Sequence, residues 1–253
     1  MSFQLGLGTF GDVTVNEDGR LLEHHEVLMN VVEEAKLADR LGIDFFGVGE
    51  HHREDFAVTA PEVLLAAIAS ETKDIRLGSA VTVLSSDDPV RVYQRFATLD
   101  AISEGRAEVI LGRGSFTESF PLFGYALNEY GRLFEEKASL FTELRNEVPV
   151  TWRGTTRPAL SNQMVYPKTQ SGTIPTWIGV GGSPDSVIRA ARNGAGLMLA
   201  IIGGQPSRFA PLVELYFKTL EELGQNRLPV GVHSPGHAVS YTHLRAHETL
   251  GNL

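Results

Sequence analysis

The chain has 253 residues, 42% hydrophobic and 21% charged, without a low-complexity segment, which is the composition of an ordinary globular protein. It contains no cysteine, so disulfides and thiolate metal sites are excluded. The net charge is −9, there is no basic run, and no apolar run approaches the roughly 18 residues of a membrane span. We therefore expect neither nucleic-acid nor membrane partners. The first residues lack the features of a signal peptide, which predicts a cytoplasmic location.

Short apolar runs alternate with segments of helical periodicity along nearly the whole chain. The predicted strands are 3–10, 43–50, 75–84, 107–112, 175–180, 197–202 and 228–232. The predicted helices cover about 24–42 and 127–144 and begin near Pro61, Pro89 and Pro184, with Asp88 as the N-cap before Pro89. A further helix is predicted from the apolar stripe that runs from Phe209 to Leu220. Residues 149–174, rich in Thr, Pro, Ser and Gln, interrupt this order and are predicted to form an excursion such as a small hairpin. The pattern predicts one domain over residues 1–239.

This alternation predicts a parallel sheet with right-handed crossovers. Seven such strands suit either a doubly wound sheet or a barrel. Polar and glycine-rich clusters follow nearly every strand, which favours the barrel because barrel enzymes build their sites at the carboxyl ends of the strands. No eighth strand is found, so we predict an incomplete (β/α) barrel of about seven strands.

A candidate anion site lies in GVGGSPDS, Gly179 to Ser186. Gly181 and Gly182 allow close approach of a ligand to the backbone, and the hydroxyls of Ser183 and Ser186 with the N–H groups of the next helix could hold a phosphate. An ordinary helix cap after a tight turn explains the same residues. Asp185 opposes a bound phosphate unless its carboxylate points away.

A second candidate is Arg113, between two glycines in GRGSF at the end of the fourth strand. Its small neighbours leave the guanidinium accessible for bidentate pairing with a phosphate. The alternative is a structural ion pair with a carboxylate of a neighbouring strand.

A third candidate is EHHREDF, Glu50 to Phe56, at the end of the second strand. Neighbouring strand residues face opposite sides, so one of His51 and His52 is expected to enter a site while the other packs outside it. A histidine near its ordinary pKa is a suitable base or hydrogen-bond donor, and Glu50 could orient a ring or accept a proton. Loop histidines with satisfied hydrogen bonds are the alternative.

Four motifs in this order resemble the luciferase-like monooxygenases, the FMN-dependent oxidoreductases related to the bacterial luciferase subunits. They are FFGVGEHH, LGSAVTVLSSDDPVR, LDAISEGRAEVILGRGSF and WIGVGGSPDSVIRAARNG. The resemblance implies a TIM (β/α)8 barrel with His51 as the catalytic histidine beside Glu50. It places the flavin ring against Ser79, Ala80 and Val81, with a non-proline cis peptide between Ala80 and Val81. It also implies that the FMN phosphate is bound by Arg113, Gly181, Gly182, Ser183 and Ser186.

The resemblance also implies a reaction in which FMN, reduced by a separate flavin reductase, and O2 oxygenate a small organic substrate. Some relatives instead transfer hydride with F420, and homodimers are common. A non-catalytic flavin-binding protein or an inactive truncated barrel is a further alternative. A metal-dependent hydrolase using His51, His52, His233 and His237 is another, although no recognised ligand spacing supports a metal site. Residues 240–253 look foreign to the family, and we expect them to be non-native and disordered or loosely packed.

Overall fold

The predicted parallel sheet is present in the computed structural model, which describes residues 3–114 and 116–236. The strands are β1 (Gly6–Thr9), β2 (Phe45–Val48), β3 (Arg76–Val83), β4 (Ala107–Gly112), β5 (Val150–Trp152), β6 (Leu160–Gln163), β7 (Thr176–Val180), β8 (Gly196–Ala200) and β9 (Val230–His233). Within the described ranges, seven of them form a curled half-barrel sheet in the order β1-β2-β3-β4-β7-β8-β9, and every pairing in it is parallel. The incomplete barrel is thus confirmed.

Helices follow the strands as the periodicity predicts. They are α1 (His24–Arg40), α2 (Pro61–Glu71), α3 (Pro89–Ile102), α4 (Ser119–Leu122), α5 (Tyr130–Leu144), α6 (Pro184–Arg192) and α7 (Ala210–Glu222). Asp88 caps α3, because its carboxylate accepts hydrogen bonds from the N–H groups of Val90 and Arg91 at 2.9 and 3.2 Å. None of the helices in the described part of the chain is both long and apolar enough to cross a membrane.

The core lies between the sheet and the helices. Strand residues such as Leu77, Val109 and Leu197 pack in one buried cluster with helix residues such as Phe96 and Phe141. Burial of each such side chain stabilises the fold by about 1.5–3 kcal/mol relative to exposure. This core fixes the strands, and with them the loops at their carboxyl ends.

The excursion contains a small hairpin, as predicted, in which β5 and β6 pair antiparallel. Three carboxylates of the barrel helices and their ends accept hydrogen bonds from this segment. Glu136 accepts from Thr155 and Thr156, Glu147 from Thr169, and Asp100 from Gln170 and Ser171. Burial opposes ionisation of Glu136, but these hydrogen bonds outweigh it and lower its pKa to about 2.

Two local features differ from the sequence prediction. The helix expected from residue 127 begins at Tyr130, because Leu127–Glu129 forms a 3-10 turn. The loop before it contains the short helix α4, whose Phe120 is buried and only 1% exposed. The predicted domain end at residue 239 and the tail from residue 240 lie outside the described residues.

The third strand carries the irregularity that the resemblance implied. The register between β3 and β4 shifts between Ala80 and Thr82. The peptide bond between Ala80 and Val81 is cis. Both features lie near the carboxyl end of β3.

Candidate functional site

The predicted site residues gather at the carboxyl ends of neighbouring strands. Glu50 and His51 follow β2, the irregularity lies in β3, Arg113 follows β4 and the segment 181–186 follows β7. Because β2, β3, β4 and β7 are consecutive in the sheet, these groups form one row.

His51 is surrounded by aromatic rings. Its ring centre lies 4.8 Å from that of Phe10, 4.5 Å from Phe56 and 4.8 Å from Phe116. Burial lowers the pKa of His51 below its ordinary value, although Glu118 and Glu50 act in the opposite direction. The imidazole is therefore neutral at pH 7 and can accept a proton or a hydrogen bond.

His52 is directed elsewhere, into a pair with Glu50. His52 Nε2 and Glu50 Oε1 are 2.9 Å apart, and each side chain is 9% exposed. The other carboxylate oxygen of Glu50 accepts a hydrogen bond from the Val83 N–H at 2.9 Å. Glu50 thus joins the end of β2 to the end of β3, and of the two histidines it is His51 that lies in the aromatic pocket.

Hydrogen bonds of Ser79 stabilise the irregularity in β3. This serine is fully buried, accepts a hydrogen bond from the Thr82 hydroxyl at 2.8 Å and donates to the Ile110 carbonyl at 3.4 Å. The Val81 side chain lies over β4 and β7, where a Cβ added at Gly112 would come within 2.5 Å of it. Glycine at position 112 therefore leaves the space that Val81 fills.

Arg113 reaches across to α6. Its Nη2 donates to Ser186 Oγ at 3.4 Å, and its guanidinium carbon lies 4.6 Å from the centre of the Tyr130 ring. Among the described residues, no carboxylate oxygen lies within 4.0 Å of the Arg113 guanidinium, so the predicted alternative of a structural ion pair is not observed there.

The turn before α6 is open. A Cβ added at Gly181 or Gly182 would meet no atom within 4 Å, and Gly182 has φ of +126°, which favours glycine. Ser183 is the N-cap residue, yet its side chain makes no capping hydrogen bond. Asp185 is exposed at the surface. The first turn of a helix leaves backbone N–H groups without helical partners, so this end can receive an anion.

Lys137 and Arg189 belong to the surroundings of the site but were not predicted. Lys137 Nζ donates to the Ser85 carbonyl at 2.7 Å and lies 4.0 Å from the centre of the Tyr125 ring. Burial lowers its pKa to about 8, although Asp87 and Asp88 act in the opposite direction. The signal available in the sequence was a lysine on the apolar face of α5 and an arginine three residues after Ser186 on α6.

His233 ends β9 and lies beside Phe10, the ring that also contacts His51. Its ring centre lies 6.3 Å from that of Phe10, and burial lowers its pKa. In residues 3–114 and 116–236, no three His, Asp or Glu side chains are placed to hold a metal ion. His237, the remaining member of the metal-site hypothesis, lies outside these ranges.

Curated relatives match most of the chain. It is 31% identical over 179 residues to the N-acetyl-S-alkylcysteine monooxygenase of Bacillus subtilis, covering 69% of this chain and 51% of that protein. It is 25% identical over 250 residues to the alkanal monooxygenase alpha chain of Photorhabdus luminescens, covering 95% of this chain and 65% of that protein. The chain thus spans about half to two thirds of the length of these relatives.

Solved structures share the fold. The monooxygenase RslO1 of Streptomyces bottropensis superposes with a TM-score of 0.84 at 23% identity, covering 99% of this chain and 76% of that one. The oxygenating constituent of the 3,6-diketocamphane monooxygenase of Pseudomonas putida, solved with FMN, gives 0.76 at 18% identity and covers 92% and 67%. An F420-dependent secondary alcohol dehydrogenase gives 0.75 at 20% identity and covers 92% and 68%.

The family assignment rests on the sequence as a whole. A family model described as luciferase-like monooxygenase matches residues 8–245. The matched range includes every candidate site residue discussed above. The chain belongs to the luciferase-like monooxygenase family.

Proposed function

We propose that this chain binds FMN and uses reduced FMN and O2 to oxygenate a small organic substrate. The observation that carries the proposal is the meeting of Arg113 and Ser186, 73 positions apart in sequence, at the open end of α6. Family membership and an FMN-bound structure of the same fold support it.

The residues at α6 fit a phosphate group. Arg113 supplies a guanidinium without a carboxylate partner in the described structure, and the open turn at Gly181 and Gly182 leaves room for the ligand. Ser183 and Ser186 supply hydroxyls beside the helix N-terminus. A phosphate monoester with nearly two negative charges complements this set.

We assign binding of the flavin ring to residues at the ends of β3 and β2. We assign Ala80 and Val81 as the surface against which the ring lies, with Ser79 shaping the backbone beneath them. Glu50 orients this surface through the Val83 N–H and is assigned a positioning role. When bound and reduced, the flavin supplies the electrons that activate O2.

His51 is the proposed catalytic residue. Its neutral imidazole can take a proton from the substrate or hold a hydrogen bond to it, and the rings of Phe10, Phe56 and Phe116 keep water from that side. Supply of reduced FMN by a separate reductase and assembly as a homodimer stay predictions from the family resemblance.

Hydride transfer with F420 is the second candidate. It is favoured by the likeness to an F420-dependent secondary alcohol dehydrogenase. In this candidate, the deazaflavin F420 binds to the same residues at the carboxyl ends of β2, β3, β4 and β7. The two candidates therefore differ in the ligand that the chain binds.

The test is an anaerobic titration of the purified chain with FMN, oxidised and photoreduced, and in parallel with F420, followed by absorbance and fluorescence. We expect saturable FMN binding with a Kd below that for F420. Binding of F420 alone would replace the proposal with the second candidate, and binding of neither would refute both. Mixing the reduced complex with O2 then measures reoxidation of the bound flavin, where we expect slower release of hydrogen peroxide than from free reduced FMN.

A further inference from the structure

Ser186 is contacted by guanidinium groups from two directions. Arg113 Nη2 lies 3.4 Å from Ser186 Oγ, and Arg189 Nη1 lies 3.3 Å from the same atom. Ser186 itself is buried, with 3% of its surface exposed. Two cations thus converge on one buried hydroxyl at the start of α6.

The hydrogen of this hydroxyl has no acceptor in the described structure. Both arginines donate to Ser186 Oγ, because a guanidinium has no lone pair to accept with. None of the hydrogen bonds among residues 3–114 and 116–236 uses Ser186 Oγ as the donor. A buried donor flanked by two cations is matched by an anionic acceptor.

The Arg189 side chain is held in this direction. Its Nε pairs with the carboxylate of Glu135, and its guanidinium carbon lies 5.6 Å from the centre of the Phe134 ring. The Arg189 side chain is 14% exposed and that of Glu135 is 54% exposed. The ion pair therefore fixes Nε from the solvent side and leaves Nη1 directed at Ser186.

We propose that Arg189 is a second guanidinium ligand of the cofactor phosphate, forming a clamp with Arg113 across Ser186. This inference rests on the proposed function and extends it to the charge of the ligand. Two guanidinium groups beside the N-terminus of α6 suit a phosphate monoester better than a diester, because a monoester presents three terminal oxygens as acceptors and a diester presents two.

The test is a thermodynamic cycle in which both the arginine and the phosphate are removed. Calorimetry measures the Kd of FMN and of riboflavin, which lacks the phosphate, for wild type and Arg189→Gln. We expect FMN binding to weaken roughly 10- to 30-fold, as for loss of a charged hydrogen bond, with riboflavin changed less than about 2-fold. Arg192→Gln is the matched control, because it removes one exposed positive charge from the same helix, and it should change neither.

Two further variants distinguish a direct role of Arg189 in binding from a general loss of structure. Arg189→Lys keeps the charge without the planar fork, and should weaken FMN binding by less than Arg189→Gln while leaving riboflavin unchanged. Glu135→Gln removes the ion pair but keeps Arg189, and should leave FMN binding unchanged or tighter.

The inference is overturned if Arg189→Gln weakens FMN and riboflavin equally, or weakens FMN no more than Arg192→Gln does. It is also overturned if Glu135→Gln loses as much FMN affinity as Arg189→Gln, since Arg189 would then act only through its ion pair. Wild type that binds no FMN would refute the proposed function itself. Wild type that binds FMN while Arg189→Gln is unaffected would refute only the assignment of Arg189.

Discussion

The two halves of the site differ in how much of their hydrogen-bonding capacity is used inside the protein. On the β2–β3 side, both carboxylate oxygens of Glu50 are hydrogen-bonded, one with His52 and one with the Val83 N–H, and three aromatic rings contact His51. On the α6 side, the Ser183 side chain makes no capping bond, and Gly181 and Gly182 face open space.

This difference indicates separate tasks. A satisfied network fixes backbone and rings in one arrangement, which suits the half to which we assign the reacting groups. Donors that are positioned but not satisfied suit the half to which we assign the charged end of the ligand. Substitutions in the first half should therefore change stability, and substitutions in the second half should change binding.

Arg113→Ala should have the largest effect on binding. The guanidinium has no carboxylate partner among the described residues, so its loss should weaken FMN binding roughly 100-fold while changing the free energy of unfolding by less than about 1 kcal/mol. Calorimetry and urea unfolding measure the two quantities, with Arg192→Ala as the control. A large loss of stability with unchanged affinity would reverse the roles of the two halves.

Glu50→Ala should have the opposite signature. It leaves the Val83 N–H and His52, both in the interior, without their partner, which costs about 1–3 kcal/mol of unfolding free energy. Urea unfolding checks this against Glu54→Ala, which removes an exposed carboxylate four positions away. Equal stability of the two variants would contradict the account of Glu50 as a bridge.

Lys137→Met should change how stability depends on pH. The pKa of Lys137 falls from 10.5 to about 8 on folding, so between these values the unfolded chain binds one more proton. The stability of wild type relative to Lys137→Met should therefore rise with pH over this interval, by at most about 1.4 kcal/mol per pH unit. Urea unfolding of both proteins at several pH values measures the difference. A flat or falling difference would contradict the burial of a charged lysine.

The smallest effect concerns His51. Burial lowers its pKa, so its NMR signal, assigned by comparison with His51→Asn, should titrate below pH 6.5. Phe116→Ala admits water to the ring and should raise the pKa towards the ordinary value. A pKa at or above 6.5 in wild type would refute the aromatic enclosure.

The sequence predicted what depends on local pattern. The order of strands and helices, the Asp88 cap and the hairpin within residues 149–174 follow from hydrophobic periodicity and turn residues, and all are observed. The position of the cis peptide followed from the family resemblance, because no local pattern predicts one.

Side-chain partners over long sequence distances were not predictable in the same way. Which histidine meets Glu50 depends on backbone turns after β2, and the sequence left both possible. The contact of Arg113 with Ser186 requires β4 and β7 to be neighbours although the excursion separates them, whereas Arg189 reaches Ser186 from within the same helix. Lys137 lies on the apolar face of α5, where the sequence alone gives no reason for a cation. The reason is tertiary, because its ammonium group donates a hydrogen bond to the Ser85 carbonyl.

The most direct test of the difference between the two halves is the Kd of wild type for FMN and for riboflavin, measured by calorimetry at one pH and salt concentration. The two ligands share the ring and differ in the phosphate, so their ratio isolates the α6 side. We predict that FMN binds at least about 100-fold more tightly, as two charge-assisted contacts imply. Equal affinities would contradict the assignment of α6, Arg113 and Ser186 to an anion.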